Sequence, residues 1–432
     1  LTACGGAPPQ AAQTTTSATS TDNASSVPLT NVVPAVRDAA ASMSVVTHVS
    51  RSGVNDGGTH VSTSVFVPKG NPPPGGYPIV ALAHQATGLA AECAPPQSAD
   101  LLGLAPTVAA LLRAGYVVTL PDYQGLGVKG IHPYSDARTA GLNLIDAVRA
   151  ARHVFNDVST TWAAFGDSQG GAAAWAADEQ AEPYAPELTL VGAVAIAPAA
   201  DISGLVAKSQ AGTLTSEQRP VLHALIESLA RLHSDLNRDD YRRGGAARYW
   251  NVLTDCTRDG SYRRAVAAEQ LGPRDFIPAS PEAAGRLQNL LQAWAIPQRR
   301  LSAPLYVWYG GQDPFIDAAW TKAAIGRACS LGGTVTAQFD PQGEHQLTTG
   351  MTEAARIWTD ILLEDDLYVS PRHARLIPHE GAWILRDLGS TNRVYLRIRQ
   401  PYPLRDGDLL LLGLEVLQFQ TVSDGERGLG HA

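Results

Sequence analysis

Short apolar runs of strand length alternate with amphipathic helical stretches along most of this chain. From Ser44 to Pro68, β-branched residues alternate with polar ones on both sides of Asp56-Gly57-Gly58, which is the pattern of a hairpin. A regular succession follows. Ile79 to Ala83 predicts a strand, Ala105 to Arg113 a helix and Val117 to Leu120 a strand. Ala137 to Val154 predicts a helix with Leu142, Ile145, Ala147 and Val148 on its apolar side. Thr161 to Phe165 is the next strand, Gly170 to Glu179 a helix, and Leu188 to Ile196 a strand. Buried strands alternating with helices predict an α/β fold, with a mostly parallel sheet covered by helices on both faces.

The alternation stops at about Ile202 and resumes near Arg300. The stretch between is helical: Leu222, Leu225, Ile226 and Leu229 follow helical spacing, and Ser280-Pro281-Glu282 reads as an N-cap, a first-turn proline and a first-turn acid. Beyond it come a strand from Leu305 to Tyr309, a helix from Ala318 to Cys329, a strand from Thr334 to Phe339 and a helix from Thr352 to Leu363. A helical cap over about 202–300, inserted between the sixth and seventh strands, accounts for this order. After Leu363 the texture changes to short strands and turn clusters, at Asp387-Leu388-Gly389-Ser390-Thr391-Asn392 and Arg405-Asp406-Gly407-Asp408. The reading therefore divides the chain into 1–33, a 34–363 α/β unit with its cap, a small all-β segment over 364–422 and a tail over 423–432.

The first of these pieces is compositionally distinct. Leu1-Thr2-Ala3-Cys4-Gly5 fits a bacterial lipobox, in which Cys4 would receive lipid. From Ala7 to about Pro34 the chain is Ala, Thr, Ser, Pro and Gln, which reads as a flexible tether. A lipidated Cys4 ahead of a tether implies an exported, membrane-anchored or secreted protein. No apolar run approaches the roughly 20 residues needed to span a bilayer. Over 432 residues the net charge is -8, so no basic field is present to meet a nucleic acid. Cys93, Cys256 and Cys329 permit one disulfide and leave one thiol, with the pair undetermined. None of them has metal-ligand spacing with another Cys or His.

The chemistry centres on Gly166-Asp167-Ser168-Gln169-Gly170, which lies between an apolar strand and the small-residue helix Gly171-Ala172-Ala173-Ala174. That context is the signature of a nucleophile elbow, with Ser168 exposed at the carboxyl end of the sheet. A serine hydroxyl needs a base to take its proton, and the base needs an orienting acid. In this fold the order along the chain is Ser, acid, His. Asp313 lies just past the strand ending at Tyr309, and His345 just past the strand ending at Phe339, so both fall at the same sheet edge as Ser168. Asp317 is the rival acid, better placed to begin a helix; His84, His132 and His153 are the rival histidines. The oxyanion hole requires two backbone N–H donors. One is expected at Gln169, the other in His84-Gln85-Ala86-Thr87-Gly88, with Thr87 and Gly88 the candidates. This chemistry needs no metal and no organic cofactor.

Two family resemblances follow from these residues. Ala83-His84 with Thr87-Gly88, Cys93-Ala94-Pro95, Pro121-Asp122-Tyr123-Gln124-Gly125-Leu126-Gly127 and Gly166-Asp167-Ser168-Gln169-Gly170-Gly171 together resemble the secretory lipase family of fungal lipase A type, over Val33 to Leu363. The resemblance implies an α/β-hydrolase with a helical cap that acts on carboxylic esters and acylglycerols. It supports Ser168, Asp313 and His345 as a triad, and it implies a Cys93–Cys256 disulfide. Gln85 departs from bacterial relatives, which often carry Gly there. Farther on, Val369-Ser370-Pro371-Arg372-His373-Ala374, Trp383, Asp387-Leu388-Gly389-Ser390-Thr391-Asn392 and Gly407-Asp408 resemble the latter half of a forkhead-associated (FHA) domain. By that resemblance Ser370, Arg372 and Asn392 would meet a phosphothreonine peptide. The opening strands and the phosphate-gripping Gly-Arg of the family have no counterpart before Asp365, and Arg393 replaces the usual glycine.

Overall fold

The computed structural model describes residues 2–4 and 24–346, together with four strands at 374–379, 382–387, 409–412 and 415–418. The chain divides into two compact units, Leu1–Trp358 and Thr359–Ala432.

In the first unit the strands are β1 (Thr2–Cys4), β2 (Ser25–Pro28), β3 (Ala40–Arg51), β4 (Gly58–Pro68), β5 (Tyr77–Ala83), β6 (Val117–Pro121), β7 (Val158–Asp167), β8 (Thr189–Ile196), β9 (Leu305–Gly310) and β10 (Val335–Asp340). They form one sheet in the order β1-β10-β9-β8-β7-β5-β6-β4-β3-β2. The run from β6 through β10 is parallel throughout. The pairs β4–β6, β3–β4, β2–β3 and β1–β10 are antiparallel. The expected hairpin is β3–β4, and it begins four residues earlier than the alternation indicated because Ala40 already pairs with Pro68.

Period-two alternation sends successive side chains to opposite faces, so each central strand feeds two cores. Ile79, Ala81, Trp162 and Ala164 pack on one side, and Leu82, Val118 and Leu120 on the other. The helices are α1 (Pro34–Ala39), α2 (Ala105–Arg113), α3 (Ala137–Val154), α4 (Gln169–Tyr184), α5 (Gly204–Ala211), α6 (Gln218–Leu232), α7 (Gly244–Tyr249), α8 (Arg258–Glu269), α9 (Pro281–Trp294) and α10 (Ala318–Ser330). Helix α4 is buried on nearly every side, and its alanines allow α3 to come close: a Cβ on Gly141 would sit 2.6 Å from the Ala177 backbone nitrogen.

Helices α5 to α9 occupy the connection from β8 to β9. Leu222, Leu225, Ile226 and Leu229 of α6 are fully buried in the same core as the sheet. Helix α9 opens as its sequence indicates, with Ser280 accepting from the Ala283 N–H, Pro281 in the first turn and Glu282 beside it. The chain returns to β9 by hanging on two buried carboxylates of α4. Glu179 Oε2 accepts from the N–H groups of Gln298 and Arg299 at 3.1 and 3.3 Å, and Asp178 Oδ1 from those of Ser302 and Ala303 at 2.9 and 2.8 Å. Burial drives both acids upward, Glu179 to about 7, against the pull of those N–H donors.

Two expectations for the N-terminus need correction. Residues 24–33 are not part of a tether: β2 pairs along β3, and Leu29 and Val32 are buried in the core under α1 and α2. Backbone bonds from Leu29 N–H to Met43 and from Val33 N–H to Ala99, at 3.0 and 2.9 Å, anchor the segment further. Residues 5–23 lie outside those described. Cys4 is not a lipid-bearing thiol either, because its sulfur is bonded to Cys329, and a sulfur in a disulfide has no valence left for a thioether. The second bridge is Cys93–Cys256, as the family resemblance implied, and no cysteine is free.

In the second unit β11 (Ala374–His379) pairs antiparallel with β12 (Ala382–Asp387), and β13 (Leu409–Leu412) with β14 (Glu415–Gln418). Hairpins agree with the all-β reading of this segment. Ser370, Arg372 and Asn392 lie outside the described residues, as does the helix expected from Thr352 to Leu363.

Candidate active site

Strand β7 ends at Asp167 and α4 begins at Gln169, so one residue makes the turn. That residue is Ser168, at φ 56° and ψ -118°. A side chain in the left-handed half of backbone space costs about 1–3 kcal/mol and persists only where surroundings impose it. Here the Ser168 N–H donates to the Ile196 carbonyl at 2.9 Å, while its own carbonyl accepts from Ala172 and Ala199 at 3.1 and 3.0 Å. The flanking glycines are needed for close approach. A Cβ on Gly166 would lie 2.3 Å from the Gly170 carbonyl oxygen, and one on Gly170 would lie 2.2 Å from that of Ala83.

Asp313 follows β9 and His345 follows β10, and the structure brings them together. Asp313 Oδ1 accepts from the N–H groups of Phe315 and Ile316 at 2.8 and 3.0 Å. Its Oδ2 faces His345 Nδ1 at 2.7 Å. The acid side chain is 2% exposed and the imidazole 13%, so the carboxylate is sealed while the ring keeps an open edge. The proton belongs on Nδ1, opposite the carboxylate, which leaves Nε2 as an acceptor. Phe315 packs against the ring with centroids 4.6 Å apart. The rival acid is engaged elsewhere: Asp317 binds Lys208 Nζ at 2.8 and 3.0 Å and the Gln218 amide at 2.9 Å, fastening the cap. His153 is exposed on α3.

Ser168, Gln169 and His345 line one cavity of about 440 Å³. The loop after β5 meets this cavity through Gln85 and Ala86, and Thr87 and Gly88 are not among its lining residues. Gly88 serves a different need. At φ 150° it passes against the Cys93–Cys256 bridge, where a Cβ would lie 2.3 Å from Cys93 Sγ. His84 Nδ1–H donates to the Gln85 carbonyl at 2.7 Å. Because a trans peptide sets C=O and N–H on opposite sides, this bond turns the Ala86 N–H away from His84.

Near the cavity lies a set of buried titratable groups. His84 stacks on Tyr123 with centroids 4.1 Å apart, and the Tyr123 hydroxyl donates to the His84 carbonyl at 2.9 Å. Burial lowers His84 and His132 to about 4, so both rings are uncharged at neutral pH. His132 Nδ1–H donates to the Gln124 carbonyl at 2.9 Å, and its Nε2 accepts from the Gln169 side-chain amide at 3.3 Å. Burial raises Asp122 to about 8 despite the hydroxyl of Ser62, which donates to it at 2.6 Å. Asp167, in the elbow, is likewise pushed up by burial, with nearby His345 pulling it back. Sequence reasoning missed the His132–Gln169 contact and the roles of Ala86 and Tyr134 in the cavity wall. Pro133-Tyr134-Ser135-Asp136, a turn-rich stretch ahead of α3, was the available signal. Among the described residues no three His, Cys, Asp or Glu side chains gather as metal ligands.

A mostly parallel sheet with a serine on a strand–helix elbow after β7, an Asp–His pair on the loops after β9 and β10 and an inserted helical cap define the α/β-hydrolase fold. Comparison with known proteins narrows this class. The secretory lipase family model matches residues 105–360, and the chain belongs to that family. The FHA domain model matches residues 356–413. A probable inactive lipase of Mycobacterium tuberculosis is 28% identical over 252 residues, covering 55% of this chain and 53% of that protein. A probable trichothecene esterase of Stachybotrys chartarum is 26% identical over 251 residues, covering 54% and 48%. The chain thus spans about half the length of these curated relatives. Among solved structures, Candida antarctica lipase A in its closed state aligns with a TM-score of 0.61 at 15% identity, over 78% of this chain and 80% of that one. A rice cell wall degrading esterase from Xanthomonas oryzae aligns at 0.58 and 20% identity, over 76% and 90%. These likenesses establish the fold. Membership of a secretory family implies export, and the pairing of all four cysteines agrees with an oxidising compartment. Among the described residues no helix is long and apolar enough to cross a membrane.

Proposed function

We propose that this protein is a serine carboxylic ester hydrolase whose triad is Ser168, His345 and Asp313. The observation that carries the reading is the 2.7 Å bond from His345 Nδ1–H to the sealed carboxylate of Asp313, with His345 and Ser168 on the wall of one cavity. His345 Nε2 takes the proton of Ser168 Oγ as that oxygen attacks the ester carbonyl. The oxyanion forms against the N–H groups of Gln169 and Ala86, each worth roughly 3–4 kcal/mol in such a site. His345 then protonates the departing alcohol, and water hydrolyses the acyl-enzyme by the reverse sequence. Asp313 holds the ring in the tautomer that leaves Nε2 basic and stabilises the imidazolium as it forms. Acylglycerols fall within the proposed substrate class. Turnover of p-nitrophenyl esters from acetate to palmitate by wild type and Ser168→Ala tests the mechanism; undiminished turnover in the variant would sink it.

A second reading attaches to the C-terminal unit. The match to the FHA domain favours recognition of a phosphothreonine peptide, with the hydrolase as its scaffold. Against it stand the missing opening strands in the sequence and the exported setting of the chain. We infer that hydrolysis is the function and that this unit is a fused remnant.

A further inference from the structure

Two peptide units connect the cap to the acid that faces His345. Asp313 Oδ1 accepts from the N–H groups of Phe315 and Ile316 at 2.8 and 3.0 Å. The carbonyl at the other end of each of those peptides is bound by a side chain at the start of α6 or in the turn before it. The Phe315 N–H shares its peptide plane with the Pro314 carbonyl, which accepts from Thr215 Oγ1 at 2.7 Å. The Ile316 N–H shares its plane with the Phe315 carbonyl, which accepts from Gln218 Nε2 at 3.1 Å. In a trans peptide the C=O and N–H point opposite ways, so a donor fixed on the carbonyl also fixes where the N–H is aimed. It polarises the unit as well, and the N–H becomes a stronger donor. Two donors from the cap therefore aim and strengthen the two N–H groups that hold the carboxylate.

The two side chains are themselves held. Gln218 is fully buried, and its amide orientation is set at both ends: Nε2 also donates to Asp317 Oδ1 at 2.9 Å, and Oε1 accepts from the Thr215 N–H at 3.2 Å. Thr215 Oγ1 accepts from the Gln218 backbone N–H at 3.0 Å while donating its own proton to Pro314. Farther along α6, Ser228 Oγ donates to the His132 carbonyl at 2.6 Å and accepts from the Tyr134 N–H at 2.9 Å. Arg231 Nη1 then donates to the Leu89 carbonyl at 2.8 Å. One cap helix is thus bonded to the acid loop, to the cavity wall at Tyr134 and to the loop after β5. Phe315, whose carbonyl Gln218 holds, also packs its ring on His345. Both members of the Asp313–His345 pair therefore lean on this one stretch of backbone. Neither Thr215 nor Gln218 is among the residues lining the cavity.

We propose that Thr215 and Gln218 are positioning residues for the reaction: acting through the 314–316 backbone, they hold Asp313 in line with His345, which makes the cap a working part of the catalytic unit. This deepens the ester hydrolase reading and rests on it. The test is a mutant cycle on the full chain, read as kcat and KM on p-nitrophenyl butyrate. Gln218→Met and Thr215→Val should each lower kcat by at least about tenfold, because small misplacements of a catalytic group are costly, while KM stays put because neither residue lines the cavity. Thr215→Ser keeps the hydroxyl and should keep kcat within about twofold of wild type. Thr215 is only half-buried, so its series carries the test should Gln218→Met not fold. An Asp313→Asn background has already lost the function these residues serve, so the same two changes should there cost less than about threefold. Equal losses in both backgrounds, a loss that falls on KM, a Thr215→Ser loss equal to that of Thr215→Val, or no loss at all would overturn this inference alone. Wild-type kcat in Asp313→Asn itself would overturn the triad reading together with it.

Discussion

Replacing Asp313 by Asn changes one atom, and the structure dictates which one. Oδ1 accepts two backbone N–H groups, from Phe315 and Ile316, so that position must remain an oxygen. The amide nitrogen therefore takes the place of Oδ2 and presents N–H to His345 Nδ1, 2.7 Å away in the wild type. Two donors cannot face each other. His345 must move its proton to Nε2, and the nitrogen that should receive the Ser168 proton is then already protonated. In a Ser-His-Asp triad, this forced tautomer costs roughly 10⁴ in kcat, or about 5 kcal/mol of transition-state stabilisation. The fold should be nearly unaffected, because the loop-closing bonds at Oδ1 survive. The assay is kcat/KM on p-nitrophenyl butyrate between pH 6 and 10 for wild type and Asp313→Asn, with thermal unfolding of both as the control. A loss smaller than tenfold in a variant that melts like wild type would refute the assignment of Asp313 as the orienting acid.

Other consequences are testable separately. Gly170→Ala sets a Cβ 2.2 Å from the Ala83 carbonyl oxygen, so α4 must part from β5; a stability loss of roughly 3 kcal/mol or more, read as a lower urea midpoint at unchanged slope, is expected, and an unchanged midpoint contradicts the packing. Burial holds Glu179 at about 7 against an ordinary 4.5, so between those values the unfolded chain releases a proton that the folded chain keeps, and stability falls as pH rises, levelling above pH 7. Glu179→Gln should accordingly gain on wild type in calorimetry by an amount that grows from pH 4.5 to 7, up to roughly 3 kcal/mol; a gap independent of pH would show that Glu179 is already ionised there. Titrating the full chain with a phosphothreonine peptide and its unphosphorylated twin should give no phosphate-dependent heat, whereas micromolar phosphate-dependent binding would reverse our view of the C-terminal unit.

The legible part of this molecule is the part whose physics is local. A buried parallel strand has to be a short apolar run, and β5, β6, β7 and β9 are written that way. An elbow between strand and helix has to carry glycines where backbones touch, and Gly166 and Gly170 stand at such contacts. A loop residue just past a parallel strand falls at the carboxyl edge of the sheet whatever else happens, so Asp313 and His345 could be paired by position alone. The structure adds their contact, while Asp317 engages Lys208 and His84 and His132 are buried.

What could not be read depends on partners far apart in the chain. Cys4 and Cys329 are 325 residues apart, and nothing local to either distinguishes a bridge from a lipid attachment site. Residues 24–33 looked like tether because composition weighs every position equally, whereas the pairing of β2 with β3 and the burial of Leu29 and Val32 bind the segment to the sheet. Thr87 and Gly88 looked like oxyanion donors because glycine permits close approach, but the group that Gly88 approaches is a disulfide, and a sequence does not say which surface a glycine spares. Ala86, which does line the cavity and is the donor we propose, is a residue with no chemical mark of its own. The same logic applies to Gln169. Its place in the pentapeptide marks only its backbone, and the contact of its side-chain amide with His132, 37 positions earlier, appears only in the fold.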